Sequence, residues 1–366
     1  MNYLLNDDQE AFIDTARKFL SEHAASSFLH QIADRRGDWR QELKLLWQAF
    51  AELGFAGLLI GEQFGGIGLS LFDTALINEV VGAAVAPMPF IAHHLCCLAI
   101  QRAGSPAQKA KWLPRLASGE LIGSVALAGG GGRYLPQDWR IDQSTSSPQQ
   151  LSNLEVSGSD LPSLIVVGLT GGGLGILSPE QTHGNRTDRP CVDPGSFLAD
   201  VIIDAAVIDP LPGGGEYGQA IVDAGWVLQA AQACGGIRAC VEQAADYAKV
   251  REQFGVPIGQ FQAVKHQLAD LALEADPNRP LVWHAAQAAD AGQTLASRYA
   301  ALAKSHLSDA YLRVARKTIE LHGGFGYTWE ADMHLYLKRA IFLHAHLGNS
   351  LYLRQRLGSA LTARTA

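Results

Sequence analysis

Two short stretches of the sequence combine residue types that could hold a phosphate group. Arg251 and Phe254 stand three positions apart, and the glycine pair Gly323-Gly324 ends a long helical stretch. A guanidinium fork suits a diphosphate, and glycine lets a backbone approach such a group closely. Each stretch also has a plainer interpretation, namely a charged helix end beside a packed ring, and a helix C-terminus with its usual glycine.

Groups that could accept a proton near neutral pH are scattered along the chain. His344 and His346 lie near the C-terminus, Asp223 lies on a predicted helix, and Glu330 and Asp332 follow a glycine-rich turn. Histidine titrates near neutrality and is a frequent general base. The plainer interpretation is that all five are solvated or structurally bonded side chains.

Composition excludes several function classes. The 366 residues carry a net charge of −7, which disfavours a nucleic-acid partner because phosphate binding needs a basic face. No apolar run approaches the roughly 18 residues of a membrane span, and the polar, acidic first ten residues do not resemble a signal peptide. The five cysteines match neither a zinc site nor a disulfide framework. We therefore expect a cytoplasmic protein without a membrane segment or a metal.

The elements that must position these residues fall into three regions. Between Gly119 and Gly218 the chain is rich in glycine, lacks lysine and contains short apolar runs such as 164–167 and 201–203, which predict the strands of a small β domain. The flanks show helical periodicity, in particular at 227–248 and 261–275. The sequence therefore predicts an α+β multidomain fold. Its parts are an N-terminal helical domain (1–118), a middle β domain (119–214) and a C-terminal four-helix bundle (215–366).

Three stretches in the two helical domains resemble acyl-CoA dehydrogenase sequences. They are Glu52-Leu53-Gly54 with Gly65-Gly66-Ile67-Gly68 and Leu113-Pro114, then Tyr247-Ala248-Lys249-Val250-Arg251-Glu252-Gln253-Phe254-Gly255, and finally His322-Gly323-Gly324-Phe325-Gly326-Tyr327-Thr328-Trp329-Glu330. Each could arise by chance, but their joint order and spacing are highly specific. The resemblance implies a chain that works with FAD on acyl-CoA thioesters, by removing a proton beside the carbonyl and a β-hydride to the flavin.

The resemblance also implies a division of labour between neighbouring chains. In the family, one chain cradles the flavin ring and supplies a glutamate base, and its neighbour reaches over to hold the diphosphate and the adenosine. Arg251, Phe254, Gly323 and Gly324 match the reaching positions. Glu320 stands where the family usually has glutamine, and a carboxylate beside a diphosphate is unfavourable unless a cation intervenes.

The family's base is missing at both positions where its members carry it. Counting on from the Gly-Gly motif to the family's Glu-Gly pair lands on Leu347 and Gly348, and counting back from Arg251 to the second branch's glutamate lands on Gly225. Neither leucine nor glycine can accept a proton. A relocated base remains an alternative, with His346 or Asp223 as candidates.

The flavin-cradling half departs from the family as well. A loop of polar residues is replaced by Ala128 and the run Gly129–Gly132, which could still bind phosphate through backbone N–H groups. Around 154–158 the family's aromatic residue has no counterpart.

These losses favour a non-catalytic subunit that completes the FAD site of a partner chain carrying the glutamate. The stretch from Tyr327 to Arg339 resembles the heteromeric dehydrogenases of steroid side-chain degradation, so the expected assembly is a heterotetramer acting on a steroid-derived acyl-CoA. Two alternatives stay open: a self-sufficient homomeric dehydrogenase with a relocated base, and a flavin-free scaffold.

Overall fold

The computed structural model describes residues 4–24, 26–128, 132–145, 147–156, 158, 161–182, 186–204 and 207–362. Helices dominate the two ends of the chain and strands its middle. The helices are α1 (Asp7–His23), α2 (Ser26–Ala33), α3 (Trp39–Glu52), α4 (Leu71–Ala83), α5 (Phe90–Ala103), α6 (Pro106–Ala117), α7 (Pro179–Thr182), α8 (Gly214–Val250), α9 (Gln262–Ala275), α10 (Arg279–Asp290), α11 (Ala296–Leu321), α12 (Met333–Ala345) and α13 (Ser350–Thr362).

The first helix, α1, begins at Asp7, directly after its N-cap residue Asn6. Asn6 is the N-cap, and its side chain accepts a hydrogen bond from the Gln9 backbone while Gln9 bonds back to Asn6. This reciprocal capping box leaves Asp7 and Asp8 in the first turn, where their charges favour the positive end of the helix dipole.

The middle region forms two sheets that pack against each other. Its strands are β1 (Ile122–Ala126), β2 (Gln149–Val156), β3 (Ser163–Gly168), β4 (Leu174–Leu177), β5 (Arg186–Arg189), β6 (Phe197–Ile203) and β7 (Asp209–Leu211), followed in the next domain by the short pair β8 (Glu252–Gln253) and β9 (Val256–Pro257). One sheet has the order β1-β3-β4-β7 and the other β2-β6-β5.

Strand β3 is buried on both of its faces, which is why a continuous apolar run forms it. Ile165 and Val167 point into the core between the two sheets, whereas Leu164 and Val166 belong to the core shared with the helices. Successive side chains of a strand point to opposite faces, so a strand buried on both faces cannot alternate with polar residues. The strands predicted at 164–167 and 201–203 are both confirmed, within β3 and β6.

The C-terminal region is organised around α8, a helix of 37 residues. Two adjacent glycines let other helices close on it from different sides. A Cβ on Gly235 would lie 1.8 Å from the Glu79 carbonyl oxygen of α4, and one on Gly236 would lie 2.3 Å from the Tyr311 ring of α11. The α-β-α fold class is confirmed, with α8 to α11 packed together and α12 and α13 added beside them.

The sequence predicts neither a membrane-spanning helix nor a metal site. None of the helices in the described ranges combines the length and apolar character that crossing a bilayer requires. Within the same ranges, no three His, Cys, Asp or Glu side chains are grouped as metal ligands would be.

All three regions meet at one buried guanidinium. Arg339 of α12 donates from Nε to the carboxylate of Asp193, which precedes β6, and from Nη2 to the carbonyl oxygens of Val85 and Ala86 after α4. The side chains of Arg339 and Asp193 are 2% and 1% exposed. A buried charge is tolerated when it is both paired and hydrogen-bonded, as this one is.

Replacing Asp193 with asparagine should destabilise the fold strongly, because it leaves the Arg339 charge buried without a counter-charge. We expect Asp193→Asn to lower the free energy of unfolding by roughly 3 to 5 kcal/mol. Urea unfolding followed by circular dichroism measures this. The exposed pair of Arg17 and Asp14 is the control: Asp14→Asn should leave the midpoint unchanged, and equal effects of both changes would contradict the prediction.

Candidate functional site

The two base positions of the family, far apart in sequence, face each other in space. Gly225 lies on α8 and Leu347 follows α12. A Cβ on Gly225 would lie 2.8 Å from Leu347 Cδ1 and 3.2 Å from Leu95 Cδ1. We call the contact of these three residues the base corner. It contains no group that can take a proton.

The backbone of the base corner is held in an unusual conformation. Leu347 has φ +56° and Gly348 has φ +100°, in the left-handed region that side chains rarely adopt. The indole Nε1 of Trp226 donates to the Leu347 carbonyl oxygen at 2.7 Å, and both residues are buried. Leu347 is thereby turned inward, where it fills the space beside Gly225.

The cavity next to the base corner is small. Its volume is about 30 Å³, and it is lined by the end of β1, by β2 and by Tyr134, His346 and Leu347. This volume holds one or two water molecules. Pockets that bind small molecules are about ten times larger or more. The Gly129–Gly131 part of the glycine run follows the lining residue Ala128 and lies outside the described residues, as does Ser157.

The matched reaching positions lie, by contrast, on the outer surface. The turn between β8 and β9 consists of Phe254 and Gly255, with φ +54° and +80°. Positive φ at both positions is the pattern of a type I′ hairpin turn, which normally selects Asn or Gly rather than a large aromatic residue. Phe254 stands at its tip with 94% of its surface exposed. Arg251 caps the end of α8 and is also exposed.

The glycine pair adjoins the end of α8. Tyr247, one helical turn before Arg251, stacks on His322 at 4.3 Å between ring centroids and lies parallel to Phe325 at 6.0 Å. A Cβ on Gly323 or Gly324 would meet nothing within 4 Å, so packing within this chain does not require glycine at Gly324. The structure thus brings the second and third motifs together on one open face.

Glu320 does not leave an isolated negative charge beside this face. Lys317 Nζ lies 2.8 Å from Glu320 Oε2, so a cation accompanies the carboxylate that replaces the family's glutamine.

Comparisons with known proteins identify the family of the chain. Models of the acyl-CoA dehydrogenase N-terminal and C-terminal domains match residues 6–120 and 214–362. Acyl-CoA dehydrogenase IpdE2 of Mycobacterium tuberculosis is 31% identical over 340 residues, which are 91% of this chain and 91% of that protein. The chain belongs to the acyl-CoA dehydrogenase family.

Solved structures of the family superpose over nearly the whole chain. A variant of the Tcur3481-Tcur3483 steroid ACAD has a TM-score of 0.84 at 25% identity and covers 98% of this chain and 99% of that one. PigA with FAD and proline has a TM-score of 0.85 at 20% identity, covering 100% of both chains, and this likeness shows the fold alone.

His346 is the one alternative base of this acyl-CoA dehydrogenase that the structure places on the cavity. Burial, aided by the Lys304 ammonium, lowers the pKa of His346 to about 3. Its Nδ1 accepts a hydrogen bond from Gln229 at 2.9 Å, and its ring stacks on Phe342. A group with so low a pKa holds a transferred proton weakly at neutral pH, which makes His346 a poor general base.

The other candidates point elsewhere. Asp223 accepts hydrogen bonds from Gln219 and Ser297 at 2.8 and 2.9 Å, on a different face of α8 from Gly225. His344 contacts Asp309 at 3.2 Å.

Glu330 and Asp332 lie on the turn before α12, away from the cavity lining. Glu330 is exposed to solvent, and Asp332 contacts His30 at 2.9 Å.

Sequence reasoning missed Glu155, a buried carboxyl group beside the cavity. It lies on β2 between the buried residues Leu154 and Val156, and burial raises its pKa to about 7 although Arg339 opposes the shift. Glu155 Oε2 lies 3.9 Å from His346 Nδ1. Because His346 stays neutral, this contact is not an ion pair. The signal in the sequence was a glutamate where an apolar strand residue is expected.

The raised pKa of Glu155 predicts a pH-dependent stability. The unfolded state has the ordinary pKa of 4.5, so the folded state binds more protons between pH 4.5 and about 7, and stability falls as the pH rises through that window. Glu155→Gln should therefore be more stable than the parent at pH 8, by roughly 2 to 3 kcal/mol, and nearly equal to it at pH 4.5.

Urea unfolding at several pH values measures this difference. Glu120→Gln, at an exposed carboxylate paired with Arg115, is the matched control and should follow the parent at every pH. Parallel curves for Glu155→Gln and the parent would contradict a raised pKa for Glu155.

Proposed function

We propose that this chain is a subunit of a heteromeric, FAD-dependent acyl-CoA dehydrogenase. In this proposal it lacks the catalytic base and completes the FAD site of a partner chain. The observation that carries the proposal is an asymmetry. Leucine packs against glycine in the base corner and leaves no proton acceptor there, whereas the phosphate-binding positions are exposed and uncovered.

The fit of FAD to this chain differs between its two parts. Within the described residues, the cavity bounded by His346 and Leu347 has a volume of about 30 Å³, far below the size of small-molecule sites. The outer face does suit the diphosphate end of FAD. Arg251 offers a charge-assisted fork, and Gly323 and Gly324 leave their backbone open to a neighbouring group.

When bound to the pair, FAD supplies the hydride acceptor for α,β-dehydrogenation of the acyl thioester. The residues of this chain would contribute to cofactor and partner binding and not to the chemical step. Arg251 would neutralise the diphosphate, and Phe254 would pack its exposed ring against the partner or the cofactor. Burial of a ring that is 94% exposed on this chain would stabilise the assembly by roughly 1.5 to 3 kcal/mol.

The proposed substrate is a bulky, steroid-derived acyl-CoA. Support comes from the likeness to the Tcur3481-Tcur3483 steroid ACAD, which bears two designations as a two-chain enzyme would, and from the stretch between Tyr327 and Arg339. A reconstituted pair should turn over steroid-CoA esters much faster than straight-chain esters. Ready turnover of straight-chain esters with none of steroid esters would remove this part of the proposal.

The two alternatives are less well supported by the geometry. A homomeric enzyme needs a base at the cavity, and His346 is neutral there with a depressed pKa while Asp223 faces away. A flavin-free scaffold would give no role to Arg251 and the open backbone of Gly323 and Gly324, whereas the exposed Phe254 ring suits either a scaffold or a cofactor-sharing subunit.

The visible absorption spectrum tests the proposal directly. We expect the chain purified alone to be colourless, and the chain co-purified with a base-bearing acyl-CoA dehydrogenase partner to show a flavin spectrum bleached by acyl-CoA. Stoichiometric flavin on the isolated chain that bleaches with an acyl-CoA would refute it in favour of the homomeric enzyme.

Arg251→Ala should weaken FAD retention by the pair at least tenfold, because a charge-assisted contact to a diphosphate is lost. FAD released during dialysis, followed at the flavin absorption band, measures the effect. Lys249→Ala is the matched control, since it removes a positive charge from the same helix end at an exposed residue paired with Asp246. Unchanged FAD retention in Arg251→Ala would favour the scaffold.

Phe254→Asn separates the aromatic contact from the hairpin itself. Asparagine tolerates the positive φ of this turn, so the hairpin should persist. We expect weaker association of the two chains in analytical ultracentrifugation with an unchanged unfolding midpoint for this chain alone. Association equal to that of the parent would show that the ring is not at the interface.

A further inference from the structure

A second cavity, far larger than the one at the base corner, lies where parts of all three domains meet. Its volume is about 500 Å³, and its walls come from α2 and α3, from the β5-β6 hairpin and from the stretch around Trp329 and Lys338. We call it the Trp39 cleft. It shares no lining residue with the small cavity at His346 and Leu347, and its size lies in the range of small-molecule sites.

The charge of the Trp39 cleft is opposite to that of the whole protein. Among the described residues, five cationic side chains line it, namely Arg35, Arg40, Arg186, Arg189 and Lys338, against the two carboxylates Asp188 and Asp193. Asp193 is already engaged by the buried Arg339, and Asp188 is shared between Arg40 and Arg186. A concentrated positive lining on a chain of net charge −7 suits an anionic ligand.

Two of these cations, Lys338 and Arg35, form no direct ion pair with a carboxylate of the described residues. Lys338 is half-buried, its Nζ lies 4.8 Å from the centroid of the Trp329 ring, and burial lowers its pKa although Asp193 opposes the shift. Arg35 adopts φ +52° at the end of α2, a conformation that is unfavourable for arginine. Strained residues of this kind concentrate at functional sites.

The uncharged part of the cleft is aromatic. Trp39 and Phe197 stack with ring planes 6° apart and centroids 5.6 Å apart, and Trp329, which also lines the cleft and stacks on His334, is 45% exposed. Aromatic walls beside guanidinium groups recognise flat, conjugated rings that carry phosphate.

We propose that the Trp39 cleft binds a nucleoside diphosphate, with its base against the Trp39, Phe197 and Trp329 wall and its phosphates between Arg35 and Lys338. This is a site distinct from the face of Arg251 and Gly323, and it does not depend on the role proposed for that face. The ligand is either a free nucleotide or the ADP portion of a larger molecule such as CoA.

Isothermal titration of the full-length chain at fixed ionic strength tests the proposal, with ADP, CoA and inorganic phosphate as separate probes. We expect ADP to bind at least tenfold more tightly than inorganic phosphate. Tighter binding of CoA than of ADP would assign the ligand to the CoA arm, and the reverse would assign it to free nucleotide. Both results support a nucleotide site. Equal affinity for ADP and inorganic phosphate, or no binding of any probe, would overturn the proposal.

Variants locate the binding. Lys338→Met and Arg35→Asn should each weaken ADP binding about tenfold, as expected for one charge-assisted phosphate contact. Asparagine is favoured over arginine at positive φ, so Arg35→Asn should fold at least as well as the parent. Lys18→Met, on the exposed face of α1, is the matched loss of one positive charge and should bind like the parent. ADP affinity unchanged in both cleft variants would place any binding elsewhere and overturn the proposal.

Discussion

The ion pair of Arg339 and Asp193 is the constraint on which the arrangement of the three domains depends. A single guanidinium on α12 bonds to the middle domain through a carboxylate and to the N-terminal domain through two carbonyl oxygens. Because a buried cation without its anion is costly, the three domains cannot shift independently. Both sites described above depend on this ion pair, because α12, which carries Arg339, also carries Lys338 of the Trp39 cleft. The same helix leads into His346 and Leu347 at the base corner.

Packing differs between the base corner, which is filled, and the surface at the end of α8, which is exposed. The three residues of the base corner carry no polar side chain. Leu347 fills the space that Gly225 leaves, and the Trp226 indole fixes the backbone that turns the leucine inward. At the hairpin after α8, Phe254 is 94% exposed, and its ring makes an edge-to-face contact with Phe261. A second surface that covers an exposed aromatic residue in a strained turn is stabilising, which supports the proposed partner chain at this face.

Much of the fold could be predicted from sequence because its signals are local. The doubly buried strand β3 reads as an uninterrupted apolar run, and α8 and α9 follow helical periodicity. The meeting of Gly225 with Leu347 could not be predicted from periodicity, because it depends on how α8 and the segment after α12 pack over a long sequence separation. Counting from motifs located both positions, but did not show that they touch. Glu155 and the Trp39 cleft were missed for the same reason: their surroundings are assembled from distant segments.

The closed base corner supports the proposal that this chain carries no base by more than the identity of one residue. A carboxylate placed at Leu347 would enter an environment as buried as that of Glu155, whose pKa rises to about 7. Burial would raise the pKa of such a group, next to a neutral His346 and a cavity that holds one or two waters. A working base needs solvation or a counter-charge, and a substrate needs room beside it. Here the backbone, the packing and the described cavity walls all fit leucine, which supports the proposal that this chain does not carry the base.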